Sequence, residues 1–74
     1  MAAVLDVRRT PDGIFLACDG EAVLATAYEV ETEPGWWRAY LPNGTSRRMY
    51  EPHRGGEKEE TRAAESVLRR RLAR

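Results

Sequence analysis

Seventy-four residues with zero formal net charge, 42% of them hydrophobic and 32% charged, suit one small domain. A chain this short buries only roughly 60% of the surface its unfolded form exposes, so its core must be thin. Cys18 is the only cysteine and His53 the only histidine, which excludes an internal disulfide and a four-ligand zinc site and leaves packing, or a partner such as a second copy of the chain, to stabilise the fold.

The lone Cys18 points to a reducing compartment and reads as a buried small hydrophobe. After Met1 the run Ala2 to Leu5 meets Asp6, Arg8 and Arg9 too soon for an export segment, and no apolar run approaches the roughly 20 residues that a membrane span needs. A cytoplasmic protein without membrane contact is the expectation. The zero charge hides a segregation. Residues 1–36 hold seven carboxylates against two arginines, a balance of −5, and residues 37–74 hold ten Lys and Arg against five glutamates, a balance of +5. Such a layout suits oriented docking on a charged partner, or the attraction of two halves of one fold.

In chain order, the first strand is expected near 3–9 and ends at Thr10-Pro11-Asp12-Gly13. That tetrad recurs in kind as Leu41-Pro42-Asn43-Gly44: Pro presets φ, Asp or Asn follows, and Gly takes the left-handed conformation of a three-residue hairpin loop. A second strand over 14–18 turns at Asp19-Gly20 into a long third over 22–32. The alanine-rich 21–27 stretch of this third segment fits either a strand or a helical turn, whereas Tyr28, Val30 and Thr32 alternate with Glu29, Glu31 and Glu33 in strand fashion. Pro34-Gly35 precedes strands over 36–41 and 45–50. Pro52 to Gly56 is a loop. From Glu57 to the C-terminus a helix is expected, with Glu57, Glu59 and Glu60 in its first turn, Arg69, Arg70, Arg71 and Arg74 in its last, and a stripe of Ala64, Val67, Leu68 and Leu72. The fold class is α+β, a small antiparallel sheet of four to five strands in hairpins packed by one C-terminal helix. Within this single domain, 1–34 is an acidic hairpin region, 35–56 an aromatic and basic hairpin with its loop, and 57–74 the helix.

Enzymatic constellations are missing from the pattern. There is no Gly-rich phosphate loop, no nucleophile set and no metal-ligand spacing, and His53 between Pro52 and Arg54 reads as a solvated loop residue. Neither catalysis nor a cofactor or metal is expected. The second hairpin is different. If its turn is the bulged loop, Leu41 faces Thr45, and counting outward pairs Tyr40 with Ser46, Ala39 with Arg47, Arg38 with Arg48, Trp37 with Met49 and Trp36 with Tyr50. One face then carries Trp37, Ala39, Leu41 and Met49 for the core. The other carries Trp36, Arg38, Tyr40, Arg48 and Tyr50. Arginines directly opposite one another destabilise a sheet unless an anion lies between them, and rings interleaved with guanidinium groups suit phosphate contact and base stacking. Arg69 to Arg71 suit the helix C-terminus, or phosphates.

The Trp-Arg-Ala-Tyr strand, the Pro-Asn-Gly turn, the returning Arg-Arg strand and the alanine-rich helix together resemble the small three-strand-plus-helix DNA-binding domain of phage-type tyrosine recombinases, related to plant AP2 domains. The resemblance covers 35–74. It implies a sheet that enters the major groove, contacts from Arg38, Tyr40, Arg47 and Arg48, and Trp36 or Trp37 with Leu68 in the supporting core. The chain's compactness, charge segregation and aromatics also look like small phage inhibitors, anti-CRISPR proteins among them. That likeness implies a host nucleic-acid-binding protein complex as partner, met through Glu29, Glu31 and Glu33 or through the aromatic patch. The first expectation is therefore a non-enzymatic binding protein of phage or mobile-element type that meets nucleic acid, DNA before RNA, through Trp36, Arg38, Tyr40, Arg47, Arg48 and Tyr50. An inhibitor of a host complex is the second.

Overall fold

The computed structural model describes residues 5–73. Residues 3 and 4 of the expected first strand and Arg74 of the expected helix end lie outside the described residues. Five strands, β1 (Asp6–Arg9), β2 (Phe15–Asp19), β3 (Ala22–Glu29), β4 (Trp36–Tyr40) and β5 (Ser46–Tyr50), precede one helix, α1 (Glu57–Leu72). The sheet runs in the order β1-β2-β3-β4-β5 with every neighbouring pair antiparallel, as short hairpin links require.

Both Pro-containing tetrads close as three-residue hairpin loops. Thr10 N–H donates to Ile14 O at 2.8 Å and Gly13 N–H to Thr10 O at 3.0 Å; in the second tetrad Leu41 N–H reaches Thr45 O and Gly44 N–H reaches Leu41 O, each at 2.9 Å. Gly44 takes φ 89°, the left-handed conformation the loop needs. The β4–β5 register that follows pairs Trp36 with Tyr50, Trp37 with Met49, Arg38 with Arg48, Ala39 with Arg47 and Tyr40 with Ser46, as the turn chemistry predicts.

The alanine-rich third segment is a strand. Ala25 and Ala27 are fully buried while the alternating Thr26 and Tyr28 are not, the two-residue period of a strand with one covered face. It stops at Glu29, short of the expected 32. Val30 N–H still bonds to Trp36 O at 2.8 Å, but Glu33 N–H then donates to Val30 O and Trp36 N–H to Glu33 O, so residues 30–35 are a tight loop that ends on Gly35.

The helix crosses one face of the sheet. Phe15, Ala17, Ala25, Ala27, Trp37 and Ala39 from the sheet meet Ala63, Ala64, Val67 and Leu68 from the helix, with Leu5, Val7, Leu41, Met49 and Leu72 packed at the margins. Four alanines at the centre of the sheet and two on the helix let the layers approach closely, and Trp37 and Phe15, edge to face at 5.9 Å, supply the bulk. The covered stripe of the helix ends on Arg71, 8% exposed, which follows Val67 and Leu68 at spacings of four and three, and Leu72 beside it is half-buried. Arg71 Nε donates to Ala39 O at 3.3 Å, and its Nη2 to Thr45 Oγ1 at 3.1 Å and Thr45 O at 3.4 Å. No helix among the described residues is long and apolar enough to cross a membrane.

Candidate nucleic-acid interface

The helix leaves the opposite face of the sheet uncovered. Strand alternation and the pairing register place Trp36 and Tyr50 side by side on it, then the row Tyr28, Arg38 and Arg48, then the row Thr26, Tyr40 and Ser46. Five of the six hairpin residues expected at a site are thus brought together: Trp36, Arg38, Tyr40, Arg48 and Tyr50. Arg47 is not. It pairs with Ala39 and so belongs to the helix side of the edge strand, where it is exposed and turned away from Arg38 and Arg48. The resemblance carried Arg47 in beside Arg48, but consecutive residues of a strand point to opposite faces.

The open face is a layer of rings around two guanidinium groups. Trp36 and Tyr50 have centroids 5.1 Å apart, Tyr28 and Tyr40 lie stacked at 6.1 Å, and the Arg48 guanidinium sits 4.6 Å over the Trp36 ring. Trp36 is 36% and Tyr50 52% exposed. The Tyr28 and Tyr40 hydroxyls are 3.4 Å apart; that bond, followed by burial, raises the Tyr28 pKa against the opposing effect of Arg38. Opposite Arg38, Arg48 bonds to Glu33 from the loop before β4, so an internal carboxylate relieves part of the like-charge repulsion. Arg38 has no carboxylate partner among the described residues.

The acidic residues of the second expectation are divided. Glu29 turns to the helix side, half-buried, and accepts the Gly35 N–H and a His53 nitrogen, each at 2.8 Å. Glu33 is paired with Arg48, and Glu31 is exposed. Glu29 and Glu31 line a recess with Asp12 and Glu60 at the end of the sheet, from which Glu33 is absent.

His53 is a correction to the solvated-loop reading. Its side chain is 11% exposed, its ring lies 6.2 Å from Trp37, and its Nδ1 accepts the Gly55 N–H at 3.1 Å. With Nδ1 an acceptor, Nε2 carries the proton and donates to Glu29 Oε1. Glu29, His53 and Glu60 offer ligand atoms within 4.8 Å of one another. A metal on Nε2 would require a proton on Nδ1, facing the Gly55 N–H, and Glu60 already accepts from Arg9 at 3.4 Å, so Glu29 and His53 tie the sheet to the loop while Glu60 separately ties the helix to β1. A single His among Pro and Gly carries no sequence signal for this; the link is made by Glu29, 24 residues away.

The basic run of the helix is used internally. Arg69 pairs with Glu65 at 3.1 Å, Arg70 donates to Tyr50 O at 3.2 Å and lies 3.6 Å from Glu51, and Arg71 clamps the hairpin. No protein-family model, curated protein or solved structure matches the chain, so its own geometry carries the functional reading.

Proposed function

We propose that the chain is a small non-enzymatic binding protein that contacts nucleic acid through the open face of β3, β4 and β5, with Trp36, Arg38, Tyr40, Arg48 and Tyr50 as contact residues and Tyr28 beside them. The observation that carries this reading is Arg38. It stands at the centre of an uncovered face, between two aromatic pairs and opposite a second arginine, without a carboxylate of its own among the described residues. A phosphate is the ligand that would satisfy it and remove the remaining repulsion. The helix arginines and Arg47 fall outside the site.

The test is an anisotropy titration of labelled DNA and RNA at about 50 and 200 mM salt, the range over which phosphate contacts declare themselves. Binding that weakens with salt, and weakens about tenfold on Arg38→Gln, is expected. Absence of binding at the lower salt would overturn the reading. It would turn attention to a protein partner docking on the same rings, because the acidic trio of the inhibitor reading is split between two faces.

A further inference from the structure

We infer that the ligand of the open face is a single strand, whose unpaired bases stack on the rings, and not a duplex. The inference rests on the nucleic-acid reading above and deepens it, from three features of the face.

Exposed ring faces come first. Bases in a duplex hide their own faces in the helical stack and show only edges and phosphates, whereas unpaired bases present a face that any aromatic ring can take. Tyr50 offers the most exposed ring of the site, and the Arg48 guanidinium over Trp36 presents a second flat surface, a cationic one, at the same end. Tyr40 and Trp36 are four residues apart on β4, about 13 Å, with Arg38 midway. That span suits the two or three bases an aromatic sheet stacks, with a phosphate over Arg38.

Width is the second feature. Five strands about 4.8 Å apart make a face about 19 Å across, against a major groove about 12 Å wide. The rings lie on the face of β3, β4 and β5, and the surface continues through half-buried Leu16 to Arg8, which is bonded to Asp6. A duplex laid there would set its phosphates against an aliphatic side chain and a guanidinium already neutralised by a carboxylate.

Charge is the third. The ring cluster holds two guanidinium groups, one already paired with Glu33. A duplex binder relies on some 6–10 phosphate contacts and loses affinity steeply with salt, whereas two contacts on a single strand give a logarithmic salt slope of only about −1.4. Stacking must then supply most of the affinity.

The full chain is titrated against oligothymidylate and oligouridylate of about 8 nucleotides, within the site size of a single small domain, and against a duplex of matched length. Either single strand should bind at least about tenfold tighter than the duplex, with a slope near −1.4. Tyr50→Leu, which keeps apolar area and removes the ring, should weaken binding about tenfold, and Lys58→Gln on the helix should leave it unchanged. Equal or tighter duplex binding, or undiminished affinity in Tyr50→Leu, would overturn the single-strand inference while leaving nucleic-acid binding in place. Failure of all three probes to bind would overturn both.

Discussion

Glu29 ties the end of the sheet to the loop that follows it and to the one that precedes the helix. Burial pushes its carboxyl pKa up, but the Gly35 N–H and His53 outweigh that and hold it below the ordinary value. A carboxyl depressed in the folded state adds stability that is complete above its unfolded pKa of about 4.3 and is lost as the pH falls through the lower folded value. The urea midpoint of the protein should therefore fall between about pH 5 and pH 3, and the difference between it and Glu29→Gln should close over the same range. A difference that persists unchanged at pH 3 would contradict this. Gly35 is the partner in that contact, and its position is doubly constrained: φ is 84°, and a Cβ there would lie 2.9 Å from Tyr50 Cε1. Gly35→Ala should cost about 1–2 kcal/mol from the left-handed backbone alone, and should shift the Tyr50 ring resonances because that ring has to move.

At the scale of elements, the β4–β5 hairpin was the most legible part of the chain. Pro42, Asn43 and Gly44 specify a loop length, the loop length sets the register, and the register assigns Trp37 to the core and Trp36 to the open face. Leu41 and Met49 pack at the core margin as that parity requires. The alanine-rich β3 was ambiguous because alanine favours helix locally, and what decided it was the helix lying over Ala25 and Ala27, a contact made 36 or more residues later in the chain. Arg71 was illegible for the same kind of reason. It continues the spacing of Val67 and Leu68, but its sequence neighbours make it read as one of three helix-terminal cations, and only the hairpin packed beneath it supplies Ala39 O and Thr45 to its donors. Arg71→Met keeps the apolar stem but removes the donors to Ala39 O and Thr45. A loss of about 1–2 kcal/mol in urea unfolding is expected, against about 0.5 kcal/mol or less for exposed Arg69→Met.

For the whole molecule, the charge segregation finds an internal use. Of the five arginine–carboxylate pairs among the described residues, Arg48–Glu33 joins a carboxylate of the acidic half to a cation of the basic half, and Arg9–Glu60 joins the halves in the opposite sense. Exposed pairs contribute roughly 0.2–1 kcal/mol each, so these align the halves more than they hold them. The stability resides in the single core, where Ala27 is fully buried at the centre of the sheet beneath the helix. A larger residue there has no space unless the layers part, and overpacking of this kind costs about 1–3 kcal/mol. A chain of this length has roughly 4–11 kcal/mol in total, so Ala27→Leu should lower the thermal midpoint markedly. Thr26→Leu, one residue away on the open face, adds similar bulk without touching the helix and should stay within about 0.5 kcal/mol of the parent. Because one core joins sheet and helix, the fluorescence of buried Trp37, read in a Trp36→Phe background, and the far-ultraviolet signal of the helix should report the same transition with Ala27 and with Ala27→Leu. A helix signal lost ahead of the Trp37 signal would mean that the helix leaves a sheet able to stand without it. That would contradict the placement of the core between the two layers.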